Sequence, residues 1–377
     1  MKITLISVFP PYRGGISAHS SLLYKHLVSN EYDVQAINYS KQYPDFLFPG
    51  KNQFEELNIQ KDISSESLIN SISPRTWIKT ARKIITYNPD VVIFRFWNPF
   101  FSICLGFIAR YLKKKNFSKP LLSICDNIIP HENFFGAKFL TQFYLKYIDG
   151  FIVQSEVVKN ELLSLKPSAR VVKRFHPIYN NYGKKYNKEL ARKDLQIKSK
   201  NIILFFGIIR KYKGLDVLIE SIPLLKKRLN DFHVLVVGEC YENIDKYKLL
   251  IQKHNIEDFV TITDRYVPDN KISTYFSASD VVVLPYKTAS QSGIIQIAYN
   301  FDVPIITTNV GGLGEYINDG LTGFLIDSNN PKQLAEVLYD SFNNNCFENL
   351  SINIKDYKRQ FSWDHFINGI DDVIVDL

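Results

Sequence analysis

The sequence predicts an α/β protein built from two doubly wound domains in tandem, and three observations carry that expectation. Its 377 residues exceed the length at which one hydrophobic core usually keeps growing. Hydrophobic residues make up 45% of the chain and charged ones 22%, enough apolar material for two cores, and no segment loses its hydrophobic pattern. Short β-branched runs recur with amphipathic stretches between them, the pattern of strands alternating with helices over a parallel sheet.

The elements follow from the first residues onward. The apolar run 3–8 reads as a strand; with one lysine before it, Pro10 and Pro11 closing it and no small-residue cleavage site, it is too short for a signal peptide. Gly14 and Gly15 then lead into a helix over 17–28. Strands are expected at 33–38, 91–94, 121–124 and 150–153, a helix at 157–165, and a last strand region of this series at 171–175. The most apolar later window, 94–108, is broken by Arg95, Asn98 and Pro99 and falls short of the roughly 18 residues a membrane-spanning helix needs. A soluble, cytoplasmic protein is therefore expected.

A second series of strands is expected at 201–206, 233–237, 260–263, 281–284, 303–307 and 324–326. The polar, lysine-rich segment 184–200 separates the two series, which gives an N-terminal domain at 1–183 and a C-terminal domain at 184–361. In the tail, 362–377, Trp363, Phe366 and Ile370 fall at near-helical spacing, so this segment is expected to form a helix that returns to the N-terminal domain.

Cys104, Cys125, Cys240 and Cys346 are far apart, with no C-x-x-C pair and no histidine at zinc-like spacing, so reduced buried thiols are expected and no metal site. The net charge of +8 is uneven: residues 1–180 carry +10 and residues 181–377 carry −2. A basic half invites a nucleic-acid reading, but no recognised module or interleaved basic–aromatic platform accompanies it, so no nucleic-acid partner is expected.

Ligands of open α/β sheets bind at the carboxyl ends of the strands, and four places there stand out. Gly14 and Gly15, between the first strand and its helix, let backbone N–H groups approach a phosphate or sugar. Arg210, Lys211 and Lys213 occupy the turn after 201–206, where basic side chains suit a diphosphate. Ser290, Gln291, Ser292 and Gly293 open a helix after 281–284, and the next strand is followed by the glycine-rich turn Gly311, Gly312, Leu313, Gly314 and Glu315. Finally, Asp126, His131 and Glu132 follow 121–124 and offer groups that accept or polarise a proton.

At these motifs the sequence resembles glycosyltransferase family 4, enzymes of the GT-B fold in which two Rossmann-like domains face a central cleft. The segments that carry the resemblance run nearly the whole length: PYRGGIS, CDNIIPHE, FGIIRKYKGLDVL, RYVPDNKI, the long stretch from SASDVVVLPY to GLTGFLI, and the terminal FSW. The resemblance implies a retaining, metal-independent transfer, with a nucleotide-diphosphate-sugar donor held by the C-terminal domain and a glycan or lipid-linked acceptor by the N-terminal one. Arg210 and Lys213 match the family's diphosphate contacts, joined by backbone N–H groups of Gly14–Gly15 and Gly312–Leu313. Without a metal, those groups are the means of stabilising the leaving diphosphate. No cofactor is implied, and no D-x-D triplet occurs.

Two departures bear on the chemistry. Where the family commonly has two glutamates, E-x7-E, this chain has Ala289 and Ile297, as in a branch with S-G instead; Gln291, Ser292 and Gln296 offer neutral hydrogen bonds there. Where many relatives carry a histidine, this chain has Asp126, leaving His131 the better group to polarise an acceptor hydroxyl near neutral pH. Lys113, Lys114, Lys115 and Lys119, after the aromatic stretch 96–101, suit peripheral contact with an anionic membrane surface. The reading is of a transferase in bacterial surface polysaccharide biosynthesis, with an inactive nucleotide-sugar-binding subunit or a GT-B nucleotide-sugar epimerase as the alternatives.

Overall fold

A computed structural model of the chain describes residues 1–44, 53–54, 63–129 and 135–375. The polypeptide forms two units, Met1–His176 together with Trp363–Leu377, and Pro177–Ser362.

In the first unit the elements run β1 (Lys2–Ile6), α1 (Gly15–Ser29), β2 (Asp33–Lys41), β3 (Ser65–Asn70), α2 (Pro74–Tyr87), β4 (Val91–Phe96), α3 (Ser102–Lys114), β5 (Leu121–Cys125), α4 (Ala137–Leu145), β6 (Gly150–Val153), α5 (Glu156–Leu165) and β7 (Arg170–Lys173). The sheet has the order β3-β2-β1-β4-β5-β6-β7, and every pairing in it is parallel. Chain reversal at β1, with β2 and β4 on its two sides, makes this a doubly wound sheet whose switch point lies between β1 and β4. Strands β1, β4 and β5 are apolar because both faces are covered: all six residues of β4 and all five of β5 are buried.

The second unit repeats the design with α6 (Lys188–Asp194), β8 (Asn201–Phe206), α7 (Leu215–Lys226), β9 (Phe232–Val237), α8 (Asp245–Lys253), β10 (Val260–Thr263), α9 (Asp269–Ala278), β11 (Val281–Leu284), α10 (Gly293–Asn300), β12 (Ile305–Thr308), β13 (Gly323–Ile326), α11 (Pro331–Asn343) and α12 (Cys346–Tyr357). Its sheet order is β10-β9-β8-β11-β12-β13, again parallel throughout. Caps fix where the helices start. Asn330 accepts from the Gln333 amide at 3.0 Å ahead of Pro331 in α11, and Ser292 caps α10 by accepting from the Ile294 amide.

The last helix, α13 (Trp363–Val375), packs against β6, β7 and α1 of the first unit. Strand β3 was not expected from the sequence. Its six residues, SESLIN, include two apolar ones and it lies at the sheet edge, where an exposed strand shows little of the hydrophobic run that marks a central one. Among the described residues no helix is long and apolar enough to cross a membrane.

Candidate functional site

In the second unit three loops meet at the carboxyl ends of β8, β11 and β12, which are neighbours in the sheet. The first loop leaves β8 at Gly207, whose φ of 108° favours glycine. A Cβ there would lie 3.2 Å from the Lys213 ammonium and 3.3 Å from Cδ1 of Ile294 in α10, so the bare backbone makes room for the meeting of lysine and helix. The same loop ends at Gly214, with φ 68°, where a Cβ would come within 1.9 Å of the Pro285 carbonyl oxygen. The Lys287 amide donates to the Tyr212 carbonyl at 2.7 Å, and Lys287 Nζ pairs with Asp216 at 2.5 Å, tying the loop after β11 to the loop after β8. The third loop closes on the second at Gly311, φ 55°, where a Cβ would sit 1.5 Å from the Ala289 carbonyl oxygen.

Lys213 lies at the centre of this arrangement. Its ammonium is over the Tyr286 ring at 5.4 Å, and the Tyr286 hydroxyl lies 3.3 Å from Ser292 Oγ at the start of α10. Burial pushes the Lys213 pKa down; Tyr212 opposes that shift and the Arg210 charge adds to it. Among the described residues no carboxylate lies within ion-pair distance of Lys213. Arg210 lies with its guanidinium 5.2 Å from the centre of the Tyr241 ring. A partly desolvated cation without an internal counter-ion, a second cation in the same loop and three glycine-shaped turns make a seat for an anion.

The other expected residues of this unit divide by role. Ser292 is spent in part on the α10 cap. Ser290 is buried and Gln291 half-buried in the same loop. The Leu313 amide already donates to the Val310 carbonyl, whereas the Gly312 amide has no acceptor among the described residues. Glu315 lies half-buried in a single 3-10 turn. At the two positions where glutamates were weighed, Ala289 and Ile297 are buried apolar side chains. Between them on α10, Gln296 is fully buried with neither its Oε1 nor its Nε2 hydrogen-bonded, an amide that costs roughly 1–3 kcal/mol to leave unmatched.

In the first unit Gly14 precedes α1 with φ 107°, and a Cβ there would meet nothing within 4 Å, so the helix start opens onto free space. His131 and Glu132 lie outside the described residues. Asp126 is described, and its surroundings differ from those of an available proton acceptor. Both carboxylate oxygens receive N–H groups of Arg95, at 2.7 Å from Nε and 2.5 Å from Nη2, in a bidentate pair buried beneath the surface.

The third arm of Arg95 makes a network that the sequence did not announce. Nη1 lies 2.5 Å from Nδ1 of His19 on α1, and the other ring nitrogen of His19 lies 3.4 Å from the Gln154 amide. A guanidinium only donates, so Nδ1 accepts and the neutral ring carries its proton on Nε2. Burial, then the Arg95 charge, then His176 hold the His19 pKa well below the usual range. His176 and Trp363 close over the imidazole, with ring centroids 4.6 and 5.0 Å away. The one signal in the sequence was Arg95 itself, a charged residue inside the apolar run VVIFRF. The membrane patch expected at 96–101 is not a free aromatic platform: Phe96 and Phe101 are core residues, Lys113 pairs with Asp149 at 2.6 Å and Lys119 approaches Asp90 at 3.6 Å.

With that geometry in place, the comparisons with known proteins can be read. Residues 187–361 match the family model described as glycosyl transferases group 1. An uncharacterized glycosyltransferase of Methanocaldococcus jannaschii is 24% identical over 386 residues, spanning 100% of this chain and 99% of that protein. Among solved structures, HepE of Anabaena in complex with UDP-glucose aligns with a TM-score of 0.77 at 15% identity over 100% of both chains. The lipopolysaccharide outer core galactosyltransferase WaaB aligns with a TM-score of 0.70 at 14% identity over 99% of both. The likeness in fold thus extends over both Rossmann-like units.

Proposed function

We propose that the chain is a glycosyltransferase of the group 1 family, to whose model residues 187–361 conform, and that it moves a sugar from a nucleoside-diphosphate donor to a hydroxyl of a glycan or lipid-linked acceptor. The reaction retains anomeric configuration and needs no metal, and its place is the building of a bacterial surface polysaccharide. One observation carries the reading: Lys213, a partly desolvated cation without an internal counter-ion, sits where the loops after β8, β11 and β12 converge. A diphosphate bound there supplies the missing charge, and the charge that develops as the sugar–phosphate bond breaks falls on groups already in place. Arg210 and the Gly312 amide add donors to the same anion. The unmatched Gln296 amide supports a donor contact made by a neutral side chain in place of the family's glutamates. HepE, of the same fold, holds UDP-glucose, which makes uridine the first base to try.

The test is a thermal-shift screen of the full chain against UDP-, GDP-, ADP-, CMP- and dTDP-sugars in EDTA, since a ligand that binds only the folded state raises its melting temperature. One nucleotide is expected to give a selective rise that Lys213→Met abolishes. With the matching acceptor, Lys213→Met and Arg210→Ala are each expected to lower kcat/KM by about 30- to 1,000-fold, the roughly 2–4 kcal/mol lost with one preorganised charge-stabilising group. An unchanged kcat/KM in both variants would remove these residues from the site, and a shift that needs added divalent metal would overturn the metal-independent part.

A further inference from the structure

Tyr286 follows β11 by two residues, is 2% exposed and is held from three sides. Its carbonyl accepts from Thr308 Oγ1 of β12 at 2.6 Å, and its hydroxyl lies 3.3 Å from Oγ of Ser292, the N-cap of α10. The Tyr212 ring stands edge-on to it, with centroids 6.2 Å apart and planes at 87°. A ring fixed at its backbone, its tip and its edge keeps one orientation, and the Lys213 ammonium lies over its face, 5.4 Å from the centre.

A second lysine of the same junction shows the alternative. Lys287, the next residue, pairs with Asp216 at 2.5 Å. A carboxylate fixes an ammonium and spends its charge. An aromatic face attracts the ammonium through the ring quadrupole, carries no net charge and leaves the cation whole for a ligand. The groups that face Lys213 agree with that difference. Arg210 of its own loop repels it, Tyr212 opposes the effect of burial, the side chain reaching it from α10 is the apolar Ile294, and among the described residues no carboxylate lies within ion-pair distance.

We infer that Tyr286 is a positioning residue of the donor site: its ring face holds the Lys213 ammonium in place while leaving its charge free for the diphosphate. The inference rests on the reading of Lys213 as a diphosphate ligand, and Tyr286 acts only through Lys213. Two consequences follow from a neutral support. The long lysine stem is ordered before the ligand arrives, so less ordering is lost on binding. The ring also favours the charged form of a lysine that burial pushes the other way, so Lys213 stays an ammonium to a higher pH than burial alone allows.

The experiment is calorimetric titration of the full-length protein, free of divalent metal, with inorganic pyrophosphate, the part common to every nucleoside-diphosphate donor. Tyr286→Leu is expected to bind about tenfold more weakly at pH 7, the ordering of one long side chain. Its affinity is also expected to fall away at lower pH than that of the wild type, because leucine does nothing for the lysine charge. Pyrophosphate titrates alike for every variant, so differences between the curves belong to the protein. Tyr286→Phe keeps the ring and is expected to stay within about threefold of wild type. Mono-, di- and trifluorinated phenylalanine at the same position keep the shape of the ring and drain its negative face, and affinity is expected to fall step by step along that series. A ring that serves only as packing would give one affinity across the fluorinated series and one pH midpoint in wild type and Tyr286→Leu, and either result overturns the inference. Should Tyr286→Leu misfold, the fluorinated series decides alone. Wild-type binding that is absent, or that survives Lys213→Met, sinks the diphosphate reading and this inference with it. Binding that Lys213→Met abolishes and fluorination leaves unchanged sinks this inference alone.

Discussion

Arg95 and Lys213 are two cations taken out of water on opposite terms. Arg95 is 1% exposed, yet its guanidinium meets two carboxylate oxygens of Asp126 and an imidazole nitrogen of His19, so its charge is answered inside the fold. Lys213 has an aromatic ring and a neighbouring arginine instead, so its charge is answered from outside. Substitution should separate the two. Arg95→Met leaves the Asp126 carboxylate buried without its partner and is expected to cost about 3–5 kcal/mol of stability, measured by urea unfolding. Lys213→Met relieves a desolvated charge, and any fall in urea stability of similar size there would contradict the reading of Lys213 as a ligand group.

At the scale of elements, the glycine turns divide into those that hold loops together and those that only bend the chain. Gly311 and Gly14 both have positive φ, but a Cβ on Gly311 would collide with the Ala289 carbonyl while one on Gly14 would enter open space. Gly311→Ala is therefore expected to lose more than about 1 kcal/mol and to weaken nucleotide-sugar binding, since it pries apart the loops after β11 and β12. Gly14→Ala should carry the φ strain alone, and equal losses in the two would show that loop contact is not what matters. The positions of these turns were legible in the sequence because each follows a strongly apolar strand. Strand β3 was not, its SESLIN pattern lacking an apolar run, and neither was the His19 network. Its members lie 76, 31 and 135 residues apart along the chain, and hydrophobic periodicity holds no information about which polar residues from distant elements converge. The sequence offered Gln296 only as one of several neutral groups beside Ala289 and Ile297, and the structure shows that it is the amide left unmatched.

For the molecule as a whole, stability should depend on the neutral state of its buried histidine. His19 in the fold resists protonation, so below its ordinary value of 6.5 the unfolded chain binds a proton that the folded chain refuses, and stability falls as pH falls. His26 and His233 are shifted the same way, both chiefly by burial. Urea midpoints are expected to drop between pH 7 and pH 5.5, with His19 contributing at most about 1.4 kcal/mol per pH unit, and His19→Gln should flatten the decline. An identical slope in that variant would acquit His19. The cover over His19 also has a history in time. Trp363 and Phe366 belong to the last described helix, whereas Arg95, Gln154 and His176 are in the first 176 residues, and the whole second unit lies between. At a ribosome's pace of about 5–20 residues per second, the stretch between them takes on the order of 10–40 s to make. The second unit can finish folding as soon as its own residues emerge. The first, although begun earlier, waits with an uncovered seat until the ribosome delivers α13, so a message cut short before codon 363 would yield a complete second unit joined to an unfinished first.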